Sequence, residues 1–246
     1  SHIWAGPYCA RVLGDMGVGV LQAGSGAKVE MKNQLLSRIA EKTGRPWIYS
    51  QLVQTFRNPE AWKDHIRTVE ENVAKGLRVI PTCSPVILTT DFTMHNCQIF
   101  KNVPSWRAVQ IASVAEKMKA YADPQFRKKA HAEAVEWPED IMGNDNLGKN
   151  WPDTVWVRKT KLEKNRKYET MSLRELAAAT GKGIIDAFFD LILEEELDTG
   201  FSQNRSGSDL VAMGKILNYP NALIGLSDAG AHVQFHGGYG YSSILL

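Results

Sequence analysis

The chain has few cysteines, no long apolar run and no excess of charge of one sign. Its 29 Lys and Arg residues nearly balance its 27 Asp and Glu residues, so nothing in its charge indicates nucleic acid or an anionic membrane as a partner. The longest apolar stretch, 184–193, is interrupted by Asp186 and Asp190, and no segment is long enough to span a bilayer. Three cysteines argue against a disulfide scaffold and favour a reducing compartment, so we expect a cytoplasmic protein.

The composition and the first third of the chain predict an α/β fold. With 43% hydrophobic residues in 246, the chain can bury a sizeable core. Strands are predicted at 18–22, 46–53 and 77–81, with a helix at 31–43 between the first two. A second helix is predicted to begin at Asn58-Pro59 and to end at Gly76, with its buried face marked by Trp62, Ile66, Val69 and Val73. This alternation with short connections is the pattern of a parallel sheet.

The remainder of the chain predicts more helices and two more strands. Helices are expected at 106–121, 124–135, 184–195 and 208–218, and Ser172 and Glu175 form a capping box that opens another. Strands at 153–159 and 222–226 bring the number of βα units to about five, whereas a complete (β/α)8 TIM barrel has eight. We therefore predict a partial (β/α)8 barrel in a single domain, 1–246, with a helical insertion at roughly 84–150.

Both ends of the chain have the features of cuts. The chain begins at Ser1 without Met and ends at Leu246 inside an apolar run. We therefore expect a fragment of a longer protein, with little or no activity of its own, because an incomplete barrel has open edges.

Asp228 is the first candidate for a catalytic residue. Residues 222–226 have the profile of a buried strand, and Ser227, Asp228, small residues and His232 follow at once. An Asp at the carboxyl end of a barrel strand lies at the active-site mouth, where it can bind a metal and transfer a proton from water. A turn or N-cap Asp is the alternative explanation of the same position.

The other candidate groups are less specific. His232 and His236 are four residues apart, but Gly237-Gly238 follows and no Glu lies between them, which favours loop histidines over a metal pair. His95 and Cys97 form a lone His-x-Cys, which favours a polar loop with an ordinary thiol over a zinc site. His65 and His131 are expected on helix surfaces. Gly24-Ser25-Gly26 is interpreted as a tight turn after a strand, because it lacks a full nucleotide-binding motif.

One segment of the chain resembles a known family. Ile224-Gly225-Leu226-Ser227-Asp228-Ala229-Gly230-Ala231-His232, preceded by Tyr219-Pro220-Asn221, is similar to the last barrel strand of the N-acyl-D-amino-acid deacylases, or D-aminoacylases, of the amidohydrolase superfamily. The resemblance implies a metal-dependent (β/α)8 hydrolase, usually with zinc or another divalent metal. Its substrate would be a small N-acyl amino acid or a similar amide, attacked by a metal-activated water. Asp228 matches the residue that binds the metal, accepts the water's proton and delivers it to the leaving nitrogen.

The chain also departs from the family pattern. It has no counterpart of the family's His-x-His motif, and two strands that usually end in histidine carry Gln22 and Gln51, which are poor zinc ligands. Together with Ser227 and His232, these glutamines are expected to contact the substrate or support the site. The departures keep open a metal-free barrel relative that binds a small ligand without hydrolysing it. A barrel hydrolase of another class, such as a glycosidase, ranks last because no second strand-end carboxylate accompanies Asp228.

Overall fold

The computed structural model describes residues 2–23, 37–55, 59–97, 99–101, 103–136, 150–225 and 243. Within these ranges the chain divides into two compact units, one formed by 2–87 and 206–225 and the other by 88–205. The first unit contains α1 (His2–Met16), β1 (Leu21–Ala23), α2 (37–43), β2 (Trp47–Ser50), α3 (Ala61–Ala74) and β3 (Val79–Cys83), followed after the second unit by α10 (Leu210–Leu217) and β7 (Leu223–Ile224). The second contains β4 (Leu88–Phe92), α4 (Pro104–Gln110), α5 (Val114–Ala122), α6 (Pro124–Ala134), α7 (Trp151–Thr154), β5 (Val155–Lys159), a 3₁₀ helix (Glu163–Tyr168), α8 (Leu173–Thr180), α9 (Ile184–Glu194) and β6 (Gly200–Ser206).

A four-stranded parallel sheet forms the centre of the first unit. Its strand order is β1-β2-β3-β7, and each neighbouring pair is parallel. Short αβ connections bring each strand back in the same direction, as the alternating pattern predicted. The carboxyl ends of all four strands therefore lie at one edge of the sheet, which is the edge where α/β proteins bind ligands. The described strands form an open sheet, and the partial barrel remains a prediction.

The helices of the first unit cover the sheet through a small set of apolar side chains. In α3, Trp62 and Val69 are buried as predicted, whereas Val73 is 42% exposed. The prediction was wrong for Val73, which lies in the last turn of α3. The helix also begins at Ala61, after Glu60, later than the predicted start at Pro59, and the predicted cap Asn58 lies outside the described residues.

The predicted strand at 222–226 is present but short. β7 pairs with the end of β3, and Gly225 N–H donates to Cys83 O at 2.9 Å. The prediction that this strand is buried was wrong for its described residues, because Leu223 is 53% exposed and Ile224 is 37% exposed. β7 is the last strand in the order of the described sheet, and an end strand has a neighbour on one side.

The second unit has a separate three-stranded sheet in the order β4-β6-β5, in which β5 and β6 are antiparallel. The predicted strand at 153–159 is therefore confirmed in β5, but counting it as a fifth βα unit was wrong. Its burial alternates, with Val155 and Val157 fully buried and Arg158 exposed. Such period-two burial is typical of an antiparallel strand with one covered face, whereas parallel strands are covered on both faces.

Helices pack around this second sheet. The predicted capping box of Ser172 and Glu175 is confirmed at the start of α8, and Gly181 ends that helix in the left-handed conformation at φ 66°. The predicted helix at 106–121 is in fact two helices, because Ser113 and Glu116 form a second capping box that starts α5. The core of the unit is rich in aromatic side chains, namely Phe92, Phe100, Trp106, Tyr121, Trp151, Phe188, Phe189 and Phe201.

No helix in the described ranges is both long and apolar enough to cross a membrane. Five described elements were not predicted from the sequence: α1, β4, α7, the 3₁₀ helix and β6.

Candidate functional site

A chain of uncharged polar side chains crosses the carboxyl edge of the parallel sheet. Gln22 Nε2 donates to Ser50 Oγ at 2.9 Å, from β1 to the end of β2. Thr82 Oγ1, on β3, lies 3.3 Å from both Ser50 Oγ and Tyr49 O. Ser50 and Thr82 are buried, whereas Gln22 is exposed. The three side chains therefore connect three adjacent strands, with the glutamine amide at the solvent end.

Strand alternation explains why these three side chains meet. Ser50 is directly opposite Thr82 in the register of β2 and β3, so the two side chains are on the same face. The next residue along β3, Cys83, is on the other face and packs in a core with Leu52 and Val79. Burial in that core raises the pKa of the Cys83 thiol and keeps it neutral.

Gln51, the residue after β2, has a buried amide group. Its Nε2 atom is out of contact with solvent and has no hydrogen-bond partner in the described part of the chain. An unpartnered buried donor costs about 1–3 kcal/mol, and each such group in a folded protein requires an explanation, such as a functional role or a bound water. Gln51 thus supplies a hydrogen-bond donor next to the Gln22–Ser50–Thr82 chain in sequence.

Two of the five predicted site residues, Gln22 and Gln51, are described at the predicted edge. Ser227, Asp228 and His232 lie outside the described residues, as do His236 and the predicted turn Gly24-Ser25-Gly26. β7 ends at Ile224, four residues before Asp228 along the chain. Ser50 and Thr82 were missed by the sequence analysis. The available signal was a hydroxyl side chain at the carboxyl end of an apolar strand in both cases, Trp47–Ser50 and Val79–Cys83.

The described residues do not offer a metal site. Within those ranges, no group of three His, Cys, Asp or Glu side chains is arranged to hold an ion. His95 and Cys97, the His-x-Cys pair of the second unit, each have another environment. His95 Nε2 lies 2.9 Å from Asp198 Oδ1. Cys97 is buried in the aromatic core, where desolvation raises the pKa of its thiol to about 12. Cys97 therefore packs in this core as a neutral thiol.

The helix histidines differ from each other. His131 is at the surface as predicted, with its Nδ1 3.3 Å from Glu136 Oε1. His65 is partly exposed on α3, and Tyr49 Oη lies 2.6 Å from its Nδ1. Tyr49 is buried on β2, and burial raises the pKa of its hydroxyl. This contact fastens α3 to β2 on the side of the sheet away from Ser50.

Comparisons with known proteins give structural neighbours only. No protein-family model and no curated protein matches the chain. The solved structures that match include a D-aminoacylase described as defining a novel subset of amidohydrolases, with a TM-score of 0.36 and 14% identity over 87% of this chain and 33% of that one. A D-aminoacylase described by its binuclear metal center matches with a TM-score of 0.40 and 15% identity over 96% of this chain and 40% of that one. N-acyl-D-glutamate deacylase from Bordetella bronchiseptica, complexed with zinc and a phosphonate inhibitor, matches with a TM-score of 0.35 and 12% identity over 82% and 30%.

The four matching structures are all D-aminoacylases or N-acyl-D-glutamate deacylases, and the predicted resemblance to that group is confirmed. The chain spans 30% to 40% of the length of these proteins.

Proposed function

We propose that the carboxyl edge of the parallel sheet binds a small N-acyl amino acid or similar amide and that Asp228 transfers the proton when its C–N bond is hydrolysed. The observation that supports this proposal is the hydrogen-bonded series Gln22–Ser50–Thr82 at that edge. β7 leads towards the same edge, because the Gly225 N–H donates to Cys83 O and Asp228 is three residues further on. Neutral hydrogen-bond donors and acceptors suit a substrate that is an amide.

The proposed reaction needs a base and an acid at different stages. Asp228 accepts a proton from water as the water oxygen bonds to the amide carbonyl carbon. The same carboxyl group then returns that proton to the nitrogen, the C–N bond breaks, and a carboxylic acid and an amine leave. General acid–base catalysis of this kind contributes about 10²- to 10⁴-fold to a rate.

The side-chain amides of Gln22 and Gln51 are proposed to bind the substrate. Gln22 Nε2 uses one hydrogen for Ser50, and its second hydrogen can donate to a carbonyl or carboxylate oxygen. Gln51 Nε2 would gain the partner that the described residues do not provide. Ser227 and His232 are proposed to contact the substrate beside Asp228, as the resemblance implies.

A divalent metal is the part of the expectation that does not fit the described residues. Gln22, Ser50 and Gln51 occupy the strand ends, and amides and hydroxyls are poor ligands for zinc compared with imidazole. Asp228, the predicted metal ligand, is outside the described ranges. The proposed steps therefore use the chain's own side chains and water, and no step passes through a metal.

A second candidate function is a binding protein that holds a small amide without hydrolysing it. The uncharged character of the Gln22–Ser50–Thr82 series favours it, because that series contains no described base or nucleophile activated by one. This candidate keeps the substrate-binding role of Gln22 and Gln51 and removes the catalytic role of Asp228.

The two functions are separated by turnover and binding measured on the same protein. The full-length protein that contains this chain is assayed with N-acetyl-D-amino acids and cyclic amides, with and without added zinc. We expect hydrolysis of at least one of them, and a loss of at least about 100-fold in kcat for Asp228→Asn. Asp64→Asn, an exposed position on α3, is the matched control and should retain full activity.

The possible results each decide between the functions. Binding of these amides without turnover, even with zinc, supports the binding protein. Turnover that survives Asp228→Asn contradicts the catalytic role of this residue. The 246-residue chain alone is expected to show little or no turnover, as predicted for an incomplete barrel.

A further inference from the structure

A groove of about 380 Å³ lies between α1 and α2, in the first unit. Its floor is made of small and apolar side chains. α1 contributes Ala10 and Gly14, and α2 contributes Ile39 and Thr43. At one end the two helices approach closely, since a Cβ on Gly14 would lie 3.1 Å from both Thr43 Cα and Thr43 Cβ. The volume falls within the range of small-molecule sites, about 300–1,000 Å³.

The rim of this groove is cationic. Arg11, Arg38 and Lys42 line it, against a single acidic residue, Asp15. Arg11 Nε lies 3.7 Å from Asp15 Oδ2, and both side chains are strongly exposed, so this pair is weak. Within the described residues, Arg38 and Lys42 form no ion pair. The groove therefore has two cationic side chains without a described acidic partner.

The helix dipoles do not account for all of these charges. A cation in the last turn of a helix is favoured by the partial negative charge of the terminal carbonyls. Lys42 occupies such a position in α2, but Arg11 lies five residues before the end of α1 and Arg38 five before the end of α2. Two of the three cations are thus outside the turns where the dipole acts.

The groove is separate from the strand-end site. α1 and α2 end shortly before the amino ends of β1 and β2, and the groove residues lie at 10–15 in α1 and at 38–43 in α2. Gln22 and Ser50 lie at the opposite, carboxyl ends of those strands. A ligand in the groove would therefore not occupy the proposed amide site.

We propose that the groove between α1 and α2 binds a small amphipathic anion, with an apolar body on the Ala10–Ile39 floor and a carboxylate or similar group against Arg38 and Lys42. Apolar burial on the floor provides affinity in proportion to the area removed from water. Arg38 adds a planar guanidinium, which matches carboxylate geometry, and Lys42 adds a point charge. A neutral molecule of the same shape would gain the first contribution and lose the second.

The test uses two anionic probes and one neutral probe on the 246-residue chain. Fluorescence of 1-anilinonaphthalene-8-sulfonate is recorded on binding, and octanoate is then used to displace it. We expect octanoate to displace the fluorescent probe, and we expect 1-octanol to bind at least about tenfold more weakly than octanoate. Amide resonances in residues 10–15 and 38–43 should shift with octanoate, and those of α3 should not.

A charge-matched pair of double variants locates the site. Arg38→Gln with Lys42→Gln should lower the affinity for octanoate by at least about tenfold, because both charged contacts are lost. Lys63→Gln with Arg67→Gln on α3 removes the same charge away from the groove, and binding should remain within about twofold of the unmodified chain. All four side chains are exposed, so both variants are expected to fold, which circular dichroism checks.

Several results would overturn the proposal. Equal affinities of octanoate and octanol would show that the cations have no role. Unchanged binding in the Arg38/Lys42 variant, or equal loss in the Lys63/Arg67 variant, would place the anion elsewhere. If the chain sediments with anionic lipid vesicles and free octanoate does not release it, the groove is a membrane contact and not a small-molecule site.

Discussion

Replacing Glu195 with Gln is expected to destabilise the second unit, because this carboxylate is buried and holds a loop. Glu195 is fully buried just after α9. Its Oε2 accepts from Lys161 N–H at 2.9 Å and Thr199 Oγ1 at 3.0 Å, and its Oε1 accepts from Leu162 N–H at 3.1 Å and Asn165 Nδ2 at 3.0 Å. Four donors therefore meet one acceptor group, and two of them are backbone N–H groups between β5 and the 3₁₀ helix.

The size of the effect follows from the acceptors that glutamine lacks. Its amide has one oxygen, so with that oxygen at the Oε1 position the new NH₂ group faces the Lys161 N–H. The Thr199 hydroxyl can rotate and accept, but the backbone donor cannot. One hydrogen bond to a charged group is lost, worth about 1.5–3 kcal/mol, and the others weaken. Removal of a buried charge offsets part of this loss, so we expect the free energy of unfolding to fall by about 2 kcal/mol.

Two measurements test this prediction, one of global stability and one of local stability. Urea unfolding followed by far-ultraviolet circular dichroism gives the free energy, and hydrogen exchange of peptides covering 155–165 should show faster exchange in Glu195→Gln. Glu196→Gln is the matched control, because Glu196 is exposed and contacts the Lys161 side chain, and its unfolding curve should match that of the unmodified protein. A Glu195→Gln curve that coincides with the control would refute the reasoning.

Three further predictions concern other described contacts. Gln51→Met should leave the free energy of unfolding unchanged or raise it by about 1 kcal/mol, because it removes an unpartnered buried donor. The same substitution should weaken amide binding. A loss of stability would show that the Gln51 amide has a partner in the folded protein. Tyr49→Phe should lower thermal stability by about 1 kcal/mol through loss of the 2.6 Å contact with His65, whereas Tyr168→Phe should not. Burial opposes the charge of Asp190, but hydrogen bonds from Lys182 and Arg127 lower its pKa overall. Because the folded-state pKa is the lower one, this stabilisation is complete above the unfolded value of about 3.9 and is lost as the pH falls through the folded value. Asp190→Asn should therefore be destabilising in melts at neutral pH and progressively less so as the pH falls below about 3.9.

The fold of the first unit could be predicted because its signals are local. Apolar strands, helix periodicity and short connections all occur within the segments 18–81, and together they specify a parallel sheet. β5 illustrates the limit, since the alternation of Val155 and Val157 identifies a strand but not its partner. β6, its partner, has consecutive buried residues at 200–203, so it lacks the alternation that would have predicted it.

The candidate site was predictable in part for the same reason. Gln22 and Gln51 were found because each follows or ends an apolar strand, which is a feature of position along the chain. Ser50 and Thr82 were missed because their contact depends on the register between β2 and β3. Similarly, the burial of Glu195 depends on donors more than thirty residues away, including Lys161 and Leu162.

The central claim is that Asp228 transfers the proton in amide hydrolysis, and kcat of the full-length protein tests it most directly. Asp228→Asn and the control Asp64→Asn are compared with the unmodified protein on the best substrate of the N-acetyl-D-amino acid panel, after circular dichroism has shown that both variants fold. The account predicts a loss of at least about 100-fold for Asp228→Asn and unchanged turnover for Asp64→Asn. Equal turnover in all three proteins would contradict it.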